Sequence, residues 1–219
     1  MSIEHMLSVP IADRDAAWEI EFLKELGRGS VAVVNSDPVQ GPDGWPYLLV
    51  ATGGRKAEEF EPVITVARWL ASRGMGMVLN PEKPMPDFVL PFGMIWNFVE
   101  RGEFLTLAPS VRAGALEIQN GQKLLTGAPS RAYLPDAVRS VLKEFFQRQK
   151  VADPRVLMIS AESAPAADSQ WDLAFSLESL GSPPVQEHSG IAEAIAWFLP
   201  THYSVALVSE KAVPGFVSL

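Results

Sequence analysis

Two glycine-rich tetrapeptides, a run of glutamates and three histidines are the places where residue type and spacing bear on chemistry in this chain. Gly53-Gly54-Arg55-Lys56 follows a predicted strand and precedes a predicted helix. That is the order in which backbone N–H groups point at an anion, although the Gly-Lys-Ser/Thr ending of a phosphate loop is missing. Gly53, Gly54 and Arg55 are therefore candidate binding residues for a phosphate or carboxylate. Gly27-Arg28-Gly29-Ser30 runs the other way, from helix into strand, and reads as a helix end and turn. Glu58, Glu59 and Glu61 crowd the expected start of a helix, where the helix dipole and water account for their charge without acid–base work. His5, His188 and His202 are the only histidines, and no two share the i, i+4 spacing that aims two rings at one metal. His188 and His202 flank a predicted helix and are expected in surface loops. No serine sits in a Gly-x-Ser-x-Gly elbow, and there is no cysteine to act as nucleophile or thiolate ligand. These residues predict no catalytic group, no metal and no cofactor.

The elements that must carry these residues fall into two halves. Residues 1–12 read as a lead-in. A helix is expected from Asp13, with Ala16, Ile20 and Leu23 on one face flanked by Phe22 and Leu26, and with Gly27 as its stop. Val31–Val34 is a β-branched run, as in a buried strand. Residues 37–44 are dense in turn formers, and Tyr47–Ala51 gives a second strand. The next helix is expected from near Phe60, with Pro62 in its first turn, Val63, Val66, Ala67 and Leu70 as its stripe, and Gly74 closing it. Met75–Leu79 is the third strand. Pro81, Pro84 and Pro86 then make an extended connector.

Residues 87–99 are the most aromatic stretch and give no clear helix or strand period. Core packing is one reading. The other is a surface for a partner or ligand, with Phe92 and Trp96 as anchors and Asn97 supplying hydrogen bonds. Phe104–Leu107 and Ala115–Ile118 read as strands leading to a hairpin turn at Asn120-Gly121, with Lys123-Leu124-Leu125 returning.

In the second half, Pro135 opens a helix with Val138, Val141, Leu142 and Phe145 on one face. Val156–Ile159 is a buried-type strand, and Trp171 begins another in which Leu173, Phe175 and Leu177 alternate. Ser189 is a candidate N-cap for a helix ended by Pro200, and Tyr203–Val208 is the last strand. Val31 and Val156, Trp45 and Trp171, Trp69 and Trp197, and Leu79 and Leu207 are 125 to 128 residues apart. The chain is thus expected to be α+β, with two similar αββαβ units, each a small mixed sheet packed with helices. Residues 1–120 would form the first unit with its aromatic extension, and residues 121–219 the second.

Gly127-Ala128-Pro129, then Leu134-Pro135, a helix and the strand from Val156 resemble the C-terminal domain of the SseB family (enhanced serine sensitivity proteins). The resemblance covers roughly residues 123–217. Where that family closes on Pro-Phe-Tyr, this chain reads Val213-Pro214-Gly215-Phe216. The resemblance implies a related N-terminal domain before this one, no established enzymatic role and no catalytic residues.

Composition narrows the function classes. The formal net charge is −8 and 47% of the 219 residues are hydrophobic, as in a globular chain with little pull toward nucleic acid or anionic membranes. The start of the sequence lacks a signal-peptide pattern and no apolar run reaches the ~20 residues of a membrane span, so a cytoplasmic protein is expected. The leading expectation is a non-enzymatic adaptor or regulator acting through protein–protein contact or self-association. The alternative is a protein or enzyme that binds an anionic metabolite near Gly53–Lys56.

Overall fold

Apolar stripes and β-branched runs alternate along the chain, and they fold into two mixed sheets with helices. The computed structural model describes residues 3–83, 85–106, 113–115, 123–161 and 171–219. The chain divides into two units, residues 1–107 with 199–201, and residues 108–198 with 202–219. Among the described residues no helix is long and apolar enough to cross a membrane.

The first unit runs α1 (Ile3–Leu7), α2 (Ala16–Arg28), β1 (Ser30–Gln40), β2 (Pro46–Ala51), β3 (Phe60–Pro62), α3 (Val63–Ala71), β4 (Gly76–Leu79), β5 (Phe88–Leu90) and α4 (Phe92–Arg101). Its sheet has the order β3-β1-β2-β4-β5. The β2–β4 pair is parallel and the other pairs are antiparallel. One apolar core joins Leu7, Phe22, Leu26, Leu70, Ile95 and Phe98 from the helices to Val31, Val50, Met77 and Leu79 from the sheet. Fully burying each such side chain stabilises the fold by about 1.5–3 kcal/mol.

Several expectations change here. Residues 3–7 form a helix rather than a lead-in, because Met6 and Leu7 have a core to enter. Helix α2 starts at Ala16, where the Asp15 carboxylate accepts from the Trp18 N–H. It continues through Gly27 to Arg28, with Gly29 as its C-cap. Gly27 serves packing instead of stopping the helix: a Cβ there would stand 2.8 Å from the Phe98 ring. The stripe centres on Phe22, Leu23 and Leu26, leaving Ile20 38% exposed. Residues 60–62 are strand, paired with β1, so α3 begins only after Pro62. Gly74 does end that helix region, at φ +68°.

The second unit contains β6 (Ala113–Ala115), β7 (Leu124–Gly127), α5 (Asp136–Arg148), β8 (Arg155–Ala161), β9 (Asp172–Ser176), α6 (His188–Ala196), β10 (Ser204–Val208) and β11 (Val217–Ser218). Its sheet has the order β11-β8-β9-β10-β6, with β7 also on β8. Here β8–β9 is antiparallel and β9–β10 parallel, the same directions as β1–β2 and β2–β4 in the first unit. Both units therefore carry helix, antiparallel strand pair, helix and a parallel third strand in that order. In β9 and β10 every residue is buried, as the continuous apolar runs require.

The hairpin expected around residue 120 falls mostly on residues outside those described, and β6 and β7 are the strands on either side of them. The first lies parallel to β10 and the second antiparallel to β8, on opposite sides of the sheet. Residues 116–118 and the turn at Asn120-Gly121 lie outside the described residues, as does Leu107. Phe104 is not in a strand; it is buried and stacks on Phe98 with ring centroids 4.2 Å apart. Ser189 sits inside the first turn of α6, where its hydroxyl donates to Glu193, and Glu187 occupies the N-cap.

Candidate functional site

The parallel strands β2 and β4 end side by side at Thr52-Gly53 and Asn80-Pro81. The carboxyl ends of neighbouring parallel strands leave a crevice where open α/β sheets commonly hold ligands. Here the crevice is a groove of about 400 Å³ lined by Glu4, Leu7 and Ser8 from α1 and the residue after it, by Val34, Ala51, Thr52 and Gly53 from β1 and the end of β2, and by Asn80, Pro81, Glu82 and Lys83 from the segment after β4. That volume is in the range of small-ligand sites.

Asn80 holds the two strand ends together. Its φ is +52°, a left-handed conformation that asparagine tolerates better than most residues. The Oδ1 atom accepts from the Thr52 backbone N–H at 2.9 Å. The Nδ2 donates to Thr52 Oγ1 at 2.9 Å and to Asp87 Oδ2 at 2.7 Å.

Behind this clasp lies Asp87, whose side chain is only 4% exposed. It also accepts from Lys83 Nζ at 2.6 Å and Arg14 Nη2 at 3.4 Å. Burial alone would raise the Asp87 carboxyl. Hydrogen bonds from Lys83 and Asn80, the Lys83 charge and the Arg14 contact outweigh it and hold the carboxyl below its ordinary value.

Arg14 extends the network to the α1 wall. It donates to the carbonyls of Val9 at 3.1 Å, Leu7 at 3.0 Å and Asp87 at 3.0 Å, and its guanidinium lies 4.7 Å over the Trp18 ring. Trp18 in turn donates from Nε1 to the Met6 carbonyl at 3.2 Å. A five-residue helix has little stability of its own, so these bonds and the core contacts of Met6 and Leu7 are what fix the wall.

The predicted site residues separate. Gly53 lines the groove, and a Cβ there would stand 2.6 Å from Glu4 Oε1, so the bare Cα is what lets the Glu4 carboxylate lie over the end of β2. Gly54 sits in the turn at φ +72°, and Arg55 is paired with Glu82 at 3.4 Å. No α-helix follows directly: residues 57–59 form a 3-10 turn and lead into β3. Glu58 and Glu59 thus lie in the 3-10 turn, and Glu61 lies in β3, one residue before the N-cap of α3.

Phe92, Trp96 and Asn97 are 2%, 7% and 0% exposed on α4, so none of the three presents an open surface in this structure. Asn97 Nδ2 donates to the Glu103 carbonyl at 2.9 Å and Thr106 Oγ1 at 3.1 Å, which ties down the segment after the helix. His188 is buried as well, not in a surface loop. It opens α6, with its Nε2 3.0 Å from the Pro183 carbonyl.

Glu4, Asn80, Lys83, Asp87 and Arg14 were not singled out by sequence reasoning. Two local signals existed: the asparagine at a strand end before proline, and the i, i+4 spacing of Lys83 and Asp87. Arg14 had none, since its partner lies 73 residues away. Among the described residues no group of three or more His, Asp or Glu side chains is placed to hold a metal, and the Ser8 hydroxyl donates to the His5 carbonyl at 2.7 Å. What the arrangement offers is recognition: charge of both signs over an apolar floor. No known protein family, curated protein or solved structure matches the chain.

Proposed function

We propose that this chain is a small-molecule binding protein whose ligand occupies the groove at the ends of β2 and β4. The observation that carries the reading is a crevice of about 400 Å³ backed by an ion network centred on the buried Asp87. Such a network holds the walls in place before a ligand arrives, and that lowers the ordering cost of binding. The test is a thermal-shift screen of small metabolites on the wild-type chain and on Ser8→Trp, a change at an exposed wall position that fills the groove. A compound that raises Tm in the wild type and not in Ser8→Trp supports the reading, and a screen in which nothing raises Tm at millimolar concentration overturns it.

A second reading, contact with a partner protein, is favoured by two exposed tryptophans. Trp69 on α3 is 38% exposed under the Arg73 guanidinium, and Trp197 just after α6 is 50% exposed. Their equivalent places near the ends of the second helices also support reading the two units as an internal duplication, and the order α5, β8, β9, α6, β10 supports the likeness to the SseB family. A cytoplasmic setting is in keeping with a chain that contains no cysteine.

A further inference from the structure

Charge around the groove is unevenly paired. Arg55 and Glu82 neutralise one another at 3.4 Å. Asp87 is shared by Arg14 at 3.4 Å and Lys83 at 2.6 Å, which leaves one positive charge in excess on that side. Arg14 is buried and spends its donors on carbonyls and Asp87. Lys83 lines the groove half-exposed, and an ammonium has three donors of which Asp87 takes one. Elsewhere on the lining, the Glu4 carboxylate lies over Gly53 and forms no ion pair with the described residues. The rest of the lining is made of short side chains, apolar at Leu7, Val34, Ala51 and Pro81 and polar at Ser8, Thr52 and Asn80.

We infer that the groove takes a small zwitterion, with an ammonium bound by Glu4 and a carboxylate bound by Lys83 on a short aliphatic skeleton. This rests on the binding reading above and narrows it to a chemical class. An anion alone would leave Glu4 facing it, and a cation alone would meet the spare Lys83 donors. Only a ligand of both signs satisfies both walls, and each charge-assisted hydrogen bond adds selectivity against the blocked analogue.

The experiment is isothermal titration of the full chain with free aliphatic amino acids carrying the amine on the α carbon or at the far end of the chain, their N-acetyl derivatives and their carboxamides. At least one free amino acid binds, and blocking either end weakens it about tenfold or more. Glu4→Gln, at an exposed position, removes the preference for a free amine while Tm without ligand stays put. Lys83→Met removes the preference for a free carboxylate, and Lys83→Arg restores it even if the methionine variant folds poorly. Equal affinity for the free and N-acetylated forms, or for the free and amidated forms, overturns the zwitterion. So does the absence of amino-acid binding when another metabolite gives a shift that Ser8→Trp abolishes, and in that case the binding reading survives. If nothing binds at all, both fall.

Discussion

Asp87 shows how one carboxylate sets the shape of a site from behind it. Three side chains donate to it, and two of them carry charge. Removing that charge in Asp87→Asn strands Arg14, whose side chain is 9% exposed, without a counter-ion. Breaking a buried pair in this way costs about 3 kcal/mol, read as a lower urea midpoint at pH 7. The pH dependence has a definite sign. The folded-state value lies below the unfolded one, so the stabilisation is complete above the unfolded carboxyl value of about 3.9 and disappears as pH falls through the folded value. Acid titration of the wild type therefore shows a loss of stability below about pH 4 that is smaller in Asp87→Asn. A variant whose acid profile matches the wild type would remove Asp87 from this role. Two phenols sit at the opposite extreme: burial and the neighbouring Asp43 push Tyr47 up, while burial, Tyr203 and Asp172 push Tyr133 up, so both stay neutral.

Elements were legible in the sequence wherever one residue type dominated a short run. Met75–Leu79, Val156–Ile159 and Tyr203–Val208 lie in or against strands, because continuous apolar runs fit strands covered on both faces, whereas Val31–Val34 lies in β1 with Val31 and Ala32 buried and Val33 39% exposed. The helices α3 and α5 were legible from their stripes, and both follow a proline. What stayed hidden depended on partners distant in sequence. The aromatic stretch from residue 87 hid a change of element at Pro91, since β5 is apolar throughout although only Leu90 is buried, and α4 is apolar up to Trp96, so no period marks where one ends and the other begins. Helix α1 is too short to show a period and is held by Arg14 and Trp18. Half of the groove came from such residues, and only Gly53 and its neighbours were visible beforehand. Helix α3 gives a direct test of element-scale reasoning. Leu70 is 0% and Trp69 38% exposed, although they are adjacent. Leu70→Ala is expected to lose about 3 kcal/mol in chemical denaturation and Trp69→Ala less than about 1 kcal/mol, despite the larger side chain removed. Comparable losses at the two positions would mean that the stripe has been placed on the wrong face.

For the molecule as a whole, charge is the property that composition fixes. With a formal net charge of −8 the chain repels the phosphate backbone. It is expected to give no mobility shift with double-stranded DNA at micromolar protein and physiological salt, and a shift that weakens with added salt would disprove this. Time acts on the whole molecule as well. Asparagines decay to aspartate when the following amide nitrogen attacks the side chain, and Asn80 is followed by Pro81, whose nitrogen carries no hydrogen. That route of chemical ageing is closed at the residue that clasps β2 to β4, while it stands open at Asn120-Gly121 in the same chain. An old preparation would therefore gain negative charge at residue 120 while the strand clasp stayed intact.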